Sequence, residues 1–216
     1  MDPFHERLAR VGLGAAGRYG FALAGGYAVQ AAGLLERPSE DVDLFTAWDR
    51  RDEFGSAVTA VIQAYRDEGV TVDVERRYDT FARLMVTDNS HTAKVELGVD
   101  WRANDPILMS IGPVLHPDDA VANKMSALYG RAFARDFIDI DAAMRSGKYS
   151  GEDLLWLAER ADSGFERHIF AGALGQADLL DQADFAQYGI AGRELDEMRS
   201  RFARWRRDLL AENPPQ

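Results

Sequence analysis

The chain of 216 residues contains no cysteine. That excludes a disulfide framework, a thiolate zinc site and a cysteine nucleophile, and it fits a reducing compartment. No apolar run approaches the roughly 20 residues that a membrane-crossing helix needs. The opening MDPFHERLARVGLG lacks the apolar centre of a signal peptide. A cytoplasmic protein with no membrane partner is the expectation. Positive charge is the scarcer sign, because 25 Lys and Arg face 36 Asp and Glu, a net charge of −11. A chain this acidic does not hold nucleic acid through its general surface, so such a substrate needs a local basic patch. Histidine is sparse too: His5, His91, His116 and His168 share no metal-ligand spacing and read as structural or surface residues. What is abundant is apolar side chain, at 46%, enough to fill a core and to exclude wholesale disorder. The length fits one domain, or a core domain with a helical appendage.

The informative stretch is 21–45, FALAGGYAVQAAGLLERPSEDVDLF. Residues 21–24 form a short apolar run ending at Gly25-Gly26, and residues 27–35 carry small and apolar side chains that predict a helix. Pro38 is expected to end that helix, since it disfavours the helical conformation in the residue before it. Asp41-Val42-Asp43-Leu44-Phe45 alternates at period 2, which sets both carboxylates on one face of a strand. Carboxylates at i and i+2 lie about 6–7 Å apart at the backbone, close enough to converge on one hard divalent cation, or on two. Mg²⁺ favours carboxylate oxygens plus substrate phosphates over an all-protein cage. Two glycines at a helix start leave backbone N–H groups open to phosphate at the positive end of the dipole. Together these features describe metal-assisted attack on a nucleoside triphosphate.

The pattern GG-x12-S-x-D-x-D-L, carried by Gly25, Gly26, Ser39, Asp41, Asp43 and Leu44, resembles the first motif of the polymerase-β-type nucleotidyltransferases. Among these it looks like the AbiEii / MenT-type toxins of bacterial toxin–antitoxin systems. The resemblance implies an α+β fold: a polymerase-β-like core with a mixed β-sheet, followed by a helical C-terminal region. The expected division is a nucleotidyltransferase core over 1–115 and a helical region over 116–216 that completes the active site. It also implies a third carboxylate on a neighbouring strand, for which Glu96 is the candidate and Asp100 its competitor. The plain reading of Glu96 is a solvated strand residue paired with Lys94. Ser39 reads as a turn serine bonding local backbone. By resemblance it is a phosphate-pocket hydroxyl and a position that an antitoxin can phosphorylate, which would shut the site by repulsion.

A second stretch, 124–139, reads KMSALYGRAFARDFID. Read as one helix, it sets Lys124, Arg131, Arg135 and Asp139 within about 80° of one another on one face. That stripe is either a triphosphate-binding ridge or a solvated face laced with pairs such as Arg135–Asp139. K-x6-R-x3-R-D-x2-D resembles a later motif of the same toxins, which implies that Lys124 binds nucleotide and that Asp139 is the essential acid. Asp136 falls off the stripe.

Elsewhere, 3–18 and 54–69 predict amphipathic helices, the second ending at Gly69, with a polar loop from 48 to 53. Residues 70–75, 81–87 and 94–99 alternate and predict strands, 101–117 reads as loop, and the chain beyond is helical with interruptions near 146–150, 163–164 and 189–192. Residues 211–216 read as a frayed tail. Trp101, Trp156 and Trp205 read as packing residues. Arginines 199, 201, 204, 206 and 207 form either a solvated helix face or a cradle for a tRNA acceptor stem.

By resemblance, the chain is a toxin that transfers a nucleoside monophosphate from an NTP to the 3′ end of tRNA, with Mg²⁺ or Mn²⁺ as cofactor and a cognate antitoxin as partner. Asp41, Asp43, Lys124 and Asp139 would be its catalytic residues. Gly25, Gly26, Ser39, Lys124, Arg131 and Arg135 would hold the nucleotide, and Asp41, Asp43 and Glu96 the metal. The first motif also resembles that of aminoglycoside and lincosamide nucleotidyltransferases, which modify a small-molecule hydroxyl. Ser39-Glu40 stands where those often carry a histidine. A non-catalytic nucleotide-binding module is the reading from another class.

Overall fold

The computed structural model describes residues 1–35, 37 and 39–212. The chain divides into two compact units, Met1–Ala120 and Val121–Gln216.

The first unit is built on a mixed sheet. Its elements are α1 (Pro3–Ala16), β1 (Ala22–Leu23), α2 (Gly25–Ala31), β2 (Asp41–Ala47), α3 (Phe54–Asp67), β3 (Thr71–Arg77), β4 (Phe81–Thr87), β5 (Thr92–Asp100), β6 (Ile107–Met109) and β7 (Gly112–Val114). The strand order is β3-β4-β5-β2-β1-β7-β6. β2 runs parallel to β5 and β1 parallel to β7, while the other neighbours are antiparallel.

Period-2 alternation decides which side of β2 is wet. Val42, Leu44 and Thr46 are buried, while Asp41, Asp43, Phe45 and Ala47 are half-exposed. The buried side meets α1 and α3. Asp2 caps α1 by accepting from the Phe4 and His5 amides at 2.9 and 3.1 Å, and Phe4, Leu8 and Leu13 face inward. Gly12 sits where α1 crosses the core. A Cβ there would fall 2.6 Å from Leu44 Cδ1 and 2.7 Å from the Tyr65 hydroxyl. That hydroxyl donates to the Leu8 carbonyl at 3.0 Å, and burial pushes its pKa up. Phe54, Val58, Val61, Ile62 and Tyr65 make the inner stripe of α3. Each such large side chain contributes about 1.5–3 kcal/mol by leaving water.

Three expectations are corrected in this unit. The helix after β1 starts at Gly25 rather than at 27 and ends at Ala31, because Gly33 turns left-handed at φ +68°. The expected stop at Pro38 lies outside the described residues. The stretch 101–117 is not all loop, since β6 and β7 form a hairpin of three-residue strands, too short for periodicity to reveal. Residues 48–53 form a 3₁₀ turn rather than an open loop.

α4 (Pro117–Gly130) carries the chain into the second unit, which holds α5 (Ala134–Arg145), α6 (Gly151–Ala161), α7 (Arg167–Leu174), α8 (Gln182–Ala186) and α9 (Arg193–Glu212). Phe137, Phe170, Phe202 and Trp205 pack there through edge-on aromatic contacts. Trp156 is instead 53% exposed, with the Arg160 guanidinium 4.6 Å from its ring centroid. The tail expectation fails at 211–212, which belong to α9; 213–216 lie outside the described residues.

The major correction concerns 124–139. The chain breaks after Gly130, and Ala132 takes a left-handed φ of +51°. Lys124 therefore stands on α4, Arg131 in the turn, and Arg135 and Asp139 on α5. No single helical stripe carries the four.

Candidate active site

Two residues at the end of β1 decide what lies beside the acid pair. Gly25 has φ +58°, and a Cβ on it would fall 1.7 Å from Asp43 Oδ2. A Cβ on Gly26 would fall 2.7 Å from Ser39 Oγ. Only a backbone without side chains fits against both groups, and φ +58° is open to glycine without strain. The Ala24 amide donates to the Asp43 carbonyl at 2.8 Å, which fastens the glycine pair to β2. Ala24 brings no capping side chain to α2. Ser39 Oγ donates to the Asp41 carbonyl at 3.2 Å, the local backbone bond of a turn serine. Tyr27 ties α2 to the same segment. Its hydroxyl lies 2.7 Å from His5 Nδ1 and 3.4 Å from the Ser39 carbonyl.

The acid face continues onto β5 and β4. In register, Asp41 lies beside Lys94, and Asp43 beside Glu96, which lies beside Arg83. Residues paired across strands share a face of the sheet. Lys94 Nζ is 2.8 Å from Asp41 Oδ1 and 3.9 Å from Glu96 Oε1. Arg83 holds Glu96 from the other side, with Nε and Nη2 at 2.8 and 2.7 Å from Oε1. The face thus alternates cation and anion, which offsets the repulsion among three neighbouring carboxylates.

Among the described residues no group of three or more acidic or histidine side chains is disposed to hold a metal ion. The donor chemistry nonetheless suits a divalent ion completed by substrate: Asp41 and Asp43 offer hard oxygens on one wet strand face, and Mg²⁺ takes one or two carboxylates plus phosphate oxygens. Glu96 shares the face but is engaged by Arg83. Asp100 accepts from the Trp101 amide at 2.7 Å, and burial pushes its carboxyl above the ordinary range.

In the second unit, Lys124 Nζ and Asp139 Oδ2 form an ion pair at 2.8 Å, 13% and 0% exposed. The α4–α5 hairpin makes this pair, which a straight helix could not. Arg131 forks onto the fully buried Asp136 with bonds of 2.9 and 2.8 Å, and Asp136 also accepts from the Phe133 amide at 3.1 Å. Arg131 therefore closes the turn, and Asp136, discounted from sequence, is its anchor. Arg135 is half-buried on α5.

Sequence reasoning paired Lys94 with Glu96 but missed its closer contact with Asp41, and it missed Arg83 as a member of the acid face. Alternation in 94–99 puts Lys94 and Glu96 on one side, but only the parallel register between β2 and β5 sets them against the aspartates.

Among curated proteins none matches the chain. Of the solved structures, JHP933 from Helicobacter pylori superposes with a TM-score of 0.52 at 19% identity, over 97% of this chain and 91% of that one. MenT4, a nucleotidyltransferase toxin from Mycobacterium tuberculosis H37Rv, superposes with a TM-score of 0.56 at 18% identity, over 97% of this chain and 85% of that one. At these identities the likeness establishes the fold. The model of the nucleotidyl transferase AbiEii toxin family, of type IV toxin–antitoxin systems, matches residues 13–215, and the chain belongs to that family.

Proposed function

We propose that the chain transfers a nucleoside monophosphate from an NTP to the 3′ end of tRNA, blocks translation by doing so, and is neutralised by a cognate antitoxin. The observation that carries the reading is the fit of Gly25 against Asp43: bare backbone lies against one carboxylate of the acid pair, which suits a polyphosphate beside a metal. Asp41 and Asp43 would hold Mg²⁺ or Mn²⁺. That ion would supply charge neutralisation at the α-phosphate and a lowered pKa for the attacking hydroxyl. The amides of Gly25 and Gly26 would receive the polyphosphate, and the Ser39 hydroxyl lies against Gly26 to meet it. Asp41 could accept the proton of the attacking hydroxyl. Lys94, 2.8 Å from Asp41, would orient that carboxylate. Lys124 and Asp139 enter through the family motif, Lys124 toward the nucleotide and Asp139 as the essential acid. Arg131, which forks onto Asp136, and Arg135 enter as nucleotide ligands through the same motif. Phosphorylation of Ser39 would add about two negative charges beside Gly26 and shut the site.

Total tRNA incubated with each labelled NTP and Mg²⁺ tests this. Label at a tRNA 3′ end that is lost by at least a hundredfold in Asp41→Ala is the expected outcome. Label on a small-molecule hydroxyl instead would favour drug modification, and full growth inhibition by Asp41→Ala would point to a non-catalytic module.

A further inference from the structure

The wet face of the sheet does not end at the acids. One pleat further along β2 and β5, about 6–7 Å on by the rise of a strand, the register places Phe81, Gly98 and Phe45 in a row across β4, β5 and β2. Both phenylalanines are half-exposed. Gly98 is what lets the row lie flat: a Cβ there would come within 3.1 Å of the Phe45 ring. Arg83 closes the edge toward the acids, its guanidinium 5.8 Å from the Phe81 ring centroid while it forks onto Glu96. On the opposite, buried face the same strands carry only Ala, Val and Leu between 82 and 86 and between 93 and 97. The aromatic rings of these strands are thus turned to the side where they contribute least to the core.

We propose that this row is the acceptor subsite, in which Phe45, lying over Gly98 and flanked by Phe81, stacks with the unpaired terminal base of a nucleic-acid acceptor. The proposal rests on the nucleotidyl-transfer reading and names its acceptor side. Direction comes from the strand order. Gly25 and Gly26 stand on the β1 flank of Asp43, whereas β5 and β4 lie on the other flank. Phosphoryl transfer sets the attacking and leaving oxygens in line on opposite sides of the phosphorus. A polyphosphate leaving toward β1 thus brings the attacking hydroxyl in over β5, where the aromatic row is. An unpaired base has a π-face whatever its identity, so stacking admits any terminal nucleotide.

The test is binding, by fluorescence anisotropy, of a short single-stranded RNA and of the same RNA with an abasic terminal residue, alongside NTP binding. Phe45→Leu should weaken the intact RNA by roughly tenfold and leave the abasic RNA and the NTP unchanged, while Phe45→Tyr restores the affinity. Gly98→Ala, which displaces the ring from the neighbouring strand, should reproduce the loss without removing an aromatic. Equal weakening of intact and abasic RNA, no weakening at all, or a loss that falls on the NTP would each overturn the subsite. If the wild type stacks the RNA in this way yet transfers nothing to it, the transfer reading fails and the subsite stands. Transfer that is indifferent to Phe45 overturns the subsite alone.

Discussion

At the scale of the residue, the molecule turns on contacts that only a missing side chain allows. Gly25 and Gly33 share a left-handed φ, at +58° and +68°, yet Gly33 faces open space while Gly25 faces the Asp43 carboxylate. Alanine at either position should cost about 1–2 kcal/mol in backbone strain, read as a fall in Tm. Only Gly25→Ala should also abolish nucleotide transfer, because its methyl group would displace Asp43. If Gly33→Ala were equally inactive, the geometry at Gly25 would not be what matters. The closeness of the glycine pair to the Asp43 strand could be read from sequence, because residue type and spacing set a strand–helix–strand turn there. The ion pair of Lys94 with Asp41 was not, because it depends on register between strands some fifty positions apart in sequence.

At the scale of the element, strong periodicity was reliable and short or broken segments were not. The inner stripes of α1 and α3 and the alternation of β4 were all readable, since burying one face of a regular element imposes its period on the sequence. The α4–α5 turn escaped because one left-handed residue, Ala132, interrupts a stretch whose composition suits a helix throughout. Gly130 was the one cue. Glycine at 132 relieves the strain of φ +51°. Ala132→Gly should therefore leave Tm unchanged or raise it, with a gain of up to about 1 kcal/mol. A clear loss of stability would mean that the turn is held open by something other than local conformation. The same turn sets Lys124 against Asp139. Removing either partner of so buried a pair should cost about 3–5 kcal/mol, so thermal melts must accompany any activity measured on those variants.

At the scale of the whole molecule, a net charge of −11 leaves few cations for a nucleic-acid partner, and several are already committed. Arg199 donates to the Ala177 and Leu180 carbonyls at 3.0 and 2.7 Å, and Arg201 forks onto the buried Asp141 at 2.6 and 2.8 Å. Arg204, Arg206 and Arg207 are exposed on α9. Arg204→Glu with Arg207→Glu should leave NTP binding intact, lower transfer to tRNA, and flatten the dependence of tRNA affinity on salt by about one to two units of slope. Equal loss of NTP binding would reject a tRNA cradle on α9. Among the described residues no helix is long and apolar enough to cross a membrane.

The amino-acid sequence by itself determined the family and the α+β class, and it nominated an acid pair and two glycines as a candidate site, because those rest on residue type, spacing and local period. Only the tertiary structure decided which cation meets which carboxylate, where the second motif bends, and that an aromatic row adjoins the acids. Each of these depends on strand register or on a single backbone angle, and neither leaves a periodic trace along the chain.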